Sequence, residues 1–318
     1  MQQIMKIYKL QLINKAIKSE FIKNSGIWLF HIMNFRYLSL YLDPVLSCNL
    51  RCKSCYFSDE EHRKTLNGSF KKEDIEQIAK AVFSRAMRLQ IGCGAEPVIF
   101  KYNSDLIRQA KIHGIRYVSI TSNANLLTRE SVEELLIAGL DELTISIHGV
   151  KKETYEYLMV NASFEKLKEI LRILTEAKQN YPKFKLRLNY TINNLNIDEL
   201  KGFFDEFGFC NFDILQLRAL RDIGGEIKAV ETSDEFNSVL NDTVSFLKKE
   251  CKKRKILMLE PDKFEKAGSK EKEIKNFAYG YISPRTFIHN DFNWRNETFN
   301  QFSKRTGYSF SLLKNLFN

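Results

Sequence analysis

Between Tyr37 and Leu217, short apolar runs alternate with helix-patterned stretches, and few folds accept that alternation. The strand-like runs are Tyr37–Leu42, Arg88–Ile91, Tyr117–Thr121, Glu142–Ile147, Phe184–Ile192 and Phe212–Leu217. Helical periodicity falls near Lys71–Ser84, Asp105–His113, Arg129–Ala138, Phe164–Gln179 and Ile197–Phe207. Thr128 is placed to cap the third of these and Gly139 to end it, while Asn196 stands where a cap for the fifth belongs. A helix between two strands returns the chain to the same edge, so the strands pair in parallel. Right-handed crossovers then wind the sheet. The expectation is an α/β protein, a partial (β/α)6 TIM-type barrel with parallel strands, carrying an N-terminal helix and an irregular C-terminal cap.

Three regions follow from this. Residues 1–36 form a basic amphipathic helical extension, 37–222 the barrel core and 223–318 a helical and irregular C-terminal region. The last includes helix patterns near Ser233–Lys253 and Lys263–Lys275. The chain carries a net charge of +10. Six cations (Lys6, Lys9, Lys15, Lys18, Lys23 and Arg36) stand against Glu20 in the first 36 residues, so half of that excess is local. Such a surface suits an acidic partner, nucleic acid or anionic lipid included, or simply a solvated helix face. The most apolar stretch, Ile27–Val45, is interrupted by Arg36 and Asp43, so no transmembrane segment is expected. The N-terminus lacks the order of a signal peptide, and a cytoplasmic location is expected.

Six cysteines are present, and Cys48, Cys52 and Cys55 fall within eight residues, directly after the first strand. In parallel α/β folds the loops at strand C-termini build the active site. Clustered thiolates on such a loop select an iron–sulfur cluster or zinc. Three thiolates leave one iron of a [4Fe–4S] cluster open to another ligand, since four is the usual complement. A zinc scaffold completed by His62 as a Cys3His site, and three merely packed thiols, are the competing readings.

Cys48-Asn49-Leu50-Arg51-Cys52, with Cys55 and Tyr56, resembles the signature of the radical S-adenosylmethionine (SAM) superfamily. Further motifs match in order: Gly94-Ala95-Glu96-Pro97 after the second strand, Thr121-Ser122-Asn123-Ala124 after the third, and Ile145-Ser146-Ile147-His148-Gly149 on the fourth. The resemblance implies that Cys48, Cys52 and Cys55 hold three irons of a [4Fe–4S] cluster and that SAM binds the fourth. It implies reductive cleavage of SAM to a 5′-deoxyadenosyl radical that abstracts a substrate hydrogen, with an external donor such as flavodoxin or ferredoxin supplying the electron. Gly94, Ala95 and Glu96 are then expected near the methionine part of SAM. Ser122, Asn123 and Ser146 are expected near its ribose, and Asn189 on the fifth strand faces it. The chain resembles the SPASM/twitch-type branch, although Cys251 is the only cysteine after Cys210, so auxiliary-cluster ligands are missing. That branch implies a peptide or other natural-product precursor as substrate, with a nucleotide, sugar or RNA as the alternative.

Overall fold

A computed structural model of the chain describes residues 19–227, 233–260, 278–288 and 291–314. One eight-stranded sheet organises it. The strands are β1 (Leu38–Leu42), β2 (Ala86–Ile91), β3 (Tyr117–Ser122), β4 (Glu142–Ile147), β5 (Lys185–Ile192), β6 (Ile214–Ala219), β7 (Leu257–Leu259) and β8 (Tyr279–Ile282). Their spatial order is β8-β1-β2-β3-β4-β5-β6-β7, and every neighbouring pair is parallel.

Side chains alternate strictly between the two faces. Leu40, Leu42, Leu89, Ile120, Ile145 and Leu188 point to the helix layer and are fully buried. The opposite face carries polar residues, Gln90, Thr121, Thr144, Ser146, Asn189 and Gln216 among them, in register across the strands. Arg88 on β2 and Arg218 on β6 both lie close enough to the Cys93 thiol to act on its charge. A flat sheet would hold those strands roughly 19 Å apart at about 4.8 Å per strand, so the sheet is curled around its polar face. This is a partial TIM-type barrel, with the polar face as its lumen.

The helices stand where the periodicity places them, and Thr128 caps Arg129–Ile137 by accepting from the Ser131 amide. Ser233 likewise caps Asp234–Lys253. Asn196 does something else. Fully buried, it donates to the carbonyls of His148 and Thr191 and accepts from the Asn193 amide, clamping two strand ends. The expected helix from Ile197 therefore shrinks to a short turn and Phe203–Phe207.

Two strands exceed the expected six. Leu257–Leu259 is three residues long, and Tyr279–Ile282 contains Gly280, so neither shows a strand pattern in sequence. They extend the sheet at its two edges, so the sheet continues past residue 222. The expected helices within residues 1–18 and at Lys263–Lys275 lie outside the described residues. The helix Glu20–Ile32 packs beneath the barrel against Tyr308–Lys314. Among the described residues, no helix is long and apolar enough to cross a membrane.

Candidate active site at the C-terminal ends of the strands

Loops leaving β1, β2 and β3 meet over one end of the lumen. The first carries Cys48, Cys52 and Cys55, all partly exposed. Arg51 donates to the Cys48 and Leu50 carbonyls at 2.7 Å each and braces that loop from within. Cys52 pairs with Met159 in a two-residue antiparallel ribbon, Arg51–Cys52 against Met159–Val160. The Ile227 amide donates to the Lys53 carbonyl at 3.0 Å, so a segment after β6 straps the loop from outside. A side chain at Gly225 would stand 2.2 Å from the Ser54 backbone, which is why glycine occupies the strap.

Burial raises the pKa of all three thiols. Cys48 is pushed up to about 11, with help from Glu96 and Cys55, and Cys52 further, by burial and then by Cys48 and Cys55. Cys48 and Cys52 thus lie within electrostatic reach of Cys55. Among the described residues, no three His, Cys, Asp or Glu side chains converge closely enough for a single metal ion. His62 is exposed and packs edge-on against Tyr56. A Cys3His zinc site is not assembled here. A four-iron cluster spreads its thiolate ligands more widely than one ion does, so the triad fits the cluster better than zinc.

The β2 loop lies beside this triad. Its turn begins at Gly92, in the left-handed region (φ +79), where a Cβ would meet the Thr121 carbonyl at 2.5 Å. Asp43, fully buried at the end of β1, accepts from the Cys93 amide at 2.7 Å and the Gly94 amide at 3.0 Å. The Tyr56 hydroxyl donates to the Gly94 carbonyl. A Cβ at Gly94 would stand 2.6 Å from that hydroxyl, so only glycine admits it. Asp43 and Tyr281 carried no motif in the sequence, and tertiary packing alone brings them here.

Glu96 is 3% exposed and its carboxylate faces inward. It accepts from the Ser122 hydroxyl (2.8 Å), the Asn123 amide (2.8 Å) and the Val98 amide (3.1 Å). Burial raises its pKa to about 7, against the pull of those three donors. Glu96 and Ser122 thus bond to one another and join the β2 and β3 loops. Asn123 completes the link to the cysteine loop, donating to Asn49 Oδ1 at 2.9 Å with Cys48 Sγ at 3.9 Å. Ala124 follows with φ +68, the conformation that makes this turn.

Ser146 and Asn189 face each other in register on β4 and β5, on the lumen side of these loops. Asn189 is 6% exposed, and its Oδ1 is buried with no hydrogen-bond partner among the described residues. An orphaned buried acceptor normally has a missing donor, and SAM, rich in N–H and O–H groups, fits that place. Ala95 is half-buried in the β2 loop. His148, one step beyond Ser146, is held neutral by burial, with its pKa down at about 4.

Known proteins resemble this chain in sequence and in fold. Over 192 residues it is 25% identical to the probable GTP 3′,8-cyclases of Saccharolobus islandicus and Sulfurisphaera tokodaii, an alignment covering 60% of this chain. The chain spans about 60% of the length of these curated relatives. Its fold matches Streptococcus suis SuiB bound to S-adenosylmethionine with a TM-score of 0.61 at 15% identity, covering 83% of this chain and 62% of that one. SuiB bound to its precursor peptide SuiA matches at 0.56 and 17% identity, over 71% of this chain and 49% of that one. The profile of the Radical SAM superfamily matches residues 44–207, from the end of β1 to the helix before β6. A match across half of the chain, on this fold, places the protein among the enzymes of the radical SAM superfamily, which use a [4Fe–4S] cluster and S-adenosylmethionine.

Proposed function

We propose that Cys48, Cys52 and Cys55 ligate the [4Fe–4S] cluster, and that the loops after β2 and β3, with Ser146 and Asn189 below them, hold SAM over the lumen. The chemistry supplied by the bound pair is reductive cleavage of SAM to a 5′-deoxyadenosyl radical that takes a hydrogen atom from the substrate. The chain's own residues do the rest. Asp43 and Tyr56 fix the Gly94 backbone in the position of closest approach, and Glu96 locks the two loops together. Asn189 offers its unpartnered oxygen, and the curled sheet keeps water from the reacting centre. One observation carries this reading: three cysteines on one braced loop, tied through Asn123 and Glu96 to the other two loops.

The substrate lies in the lumen. The peptide reading rests on a fold shared with SuiB, and the nucleotide reading on closer sequence likeness to GTP cyclases. The polar lumen, with arginines on β2 and β6, favours a small anionic molecule of the nucleotide kind. Residues 37–222 form the core of the enzyme, and the segments after 222 complete it. An external one-electron donor such as flavodoxin or ferredoxin reduces the cluster, and the protein acts in the cytoplasm.

Anaerobic reconstitution with iron and sulfide tests the reading. The wild-type protein should turn brown, bind about four irons and release 5′-deoxyadenosine from SAM on reduction. Cys52→Ala should lose both. Unchanged 5′-deoxyadenosine from Cys52→Ala would overturn the assignment.

A further inference from the structure

Two arginines on the lumen face of the sheet are treated very differently. Arg187 on β5 uses both terminal nitrogens inside the fold, pairing with Glu142 at 2.6 Å and donating to Gln216 at 2.9 Å, although its Nε, like that of Arg88, has no partner among the described residues. Among those residues, Arg88 on β2 does neither. Its Nε is buried without a hydrogen-bond partner, and among the described residues it forms no ion pair. Its guanidinium lies 5.5 Å from the centre of the Tyr41 ring. Tyr41 in turn stacks on Tyr279 at 4.6 Å and 28°, and Tyr279 remains 46% exposed. The guanidinium lies close enough to Cys93, the residue next to Gly94, to act on its charge, which puts this corner beside the loops described above.

A half-buried arginine with a buried donor unused carries a cost to the fold, and the ring beneath it offsets only a part of that cost. Such a group is retained where something outside the chain supplies the acceptor. A carboxylate or phosphate matches a guanidinium fork in shape and charge, and the two tyrosines offer a planar wall to a ring carried on the same molecule.

We infer that Arg88, held over Tyr41, is the seat for an oxyanion of the substrate, with Tyr279 as the aromatic wall beside it. This rests on the lumen being the substrate chamber of the proposed enzyme. The oxyanion is a phosphate of a nucleotide or a carboxylate of an aromatic acid.

Titration of the cluster-loaded, full-length protein at low ionic strength distinguishes these. The probes are guanosine 5′-triphosphate, inorganic tripolyphosphate, and N-acetylphenylalanine with its amide as the uncharged control. Binding of the first two identifies phosphate; binding of the free acid but not its amide identifies carboxylate. In either case Arg88→Gln should weaken the bound probe at least tenfold, and Tyr279→Ala should weaken the ring-bearing probes more than tripolyphosphate. Arg88→Met should melt at or above the wild-type temperature, because a half-buried charge with no ion pair among the described residues is removed while the apolar stem is kept. A lower melting temperature would mark Arg88 as a structural residue and overturn the inference. So would equal probe affinity in Arg88→Gln, or failure of the wild-type protein to bind any probe at millimolar concentration. Iron and sulfide measured on the same wild-type sample keep the two claims apart. A loaded cluster with no anion binding sinks the oxyanion seat alone, and an iron-free protein sinks the reading beneath it.

Discussion

The Tyr281 hydroxyl donates to Asp43 Oδ2 at 2.6 Å, joining β8 near the C-terminus to the end of β1. Asp43 holds the Cys93 and Gly94 amides with the same carboxylate, so the last strand of the sheet braces the loop assigned to SAM. Replacing Asp43 by alanine strands two amide donors and a phenol in a fully buried place. We expect Asp43→Ala to cost about 2–4 kcal/mol of stability and Tyr281→Phe about 1 kcal/mol. Denaturant titration checks both, with SAM affinity measured alongside. A Tyr281→Phe protein with wild-type stability and affinity would show that the brace carries no weight.

Glu96 separates a positioning role from direct ligand contact. A carboxylate kept for SAM would be relieved, not missed, when removed from the free protein. One that already satisfies Ser122, Asn123 and Val98 leaves three donors unpaired when it goes. Glu96→Ala should therefore lose about 2–4 kcal/mol in the absence of SAM, and bind SAM more weakly because the β2 and β3 loops part. Unaltered stability without ligand would restore the direct contact as the better account.

Much of this was legible before any coordinates. Short apolar runs placed the six inner strands, because each buries one full face against helices and a slip in register is costly. The cysteine spacing marked the loop, since packing does not require three clustered thiols. What stayed hidden depends on contacts distant in sequence. Asp43 and Tyr281 are 238 residues apart, and neither sits in a motif. Leu257–Leu259 is too short to show a period, and Gly280 breaks the pattern of the last strand. Asn196 has a cap's identity, yet the buried carbonyls of His148 and Thr191 claim it first. Glu96 was found by motif, but its bonds to Ser122, Asn123 and Val98 were not, because a sequence does not show which way a carboxylate turns.

The thiols make cluster assembly pH-dependent in a definite direction. Burial raises all three pKa values, Cys48 to about 11, so the free protein carries protonated thiols at neutral pH. Ligation requires thiolates and releases those protons. Iron should be held more tightly as the pH rises from about 7 to 9, well inside the range where raised thiol pKa values still bind protons. A chelator challenge of the assembled cluster, corrected for protonation of the chelator, measures this. Retention that is flat or falls with rising pH would contradict ligation by these cysteines.

His31 gives the fold a second, opposite-sided dependence beneath the barrel. Its ring contacts Tyr37 at 3.0 Å and Ser303 at 2.8 Å, tying the N-terminal helix to the helix Phe299–Thr306. Burial, then the Arg85 guanidinium beside it, lower its pKa from 6.5 to about 4. The folded state holds a neutral ring where the unfolded chain takes up a proton. Stability contributed by the neutral ring is therefore complete above pH 6.5 and lost as the pH falls toward about 4. The loss should reach about 1–3 kcal/mol. Denaturant midpoints between pH 7 and 4 should fall in the wild-type protein and fall less in His31→Gln, which keeps a polar group without a titrating one. Parallel curves for the two proteins would remove His31 as the source.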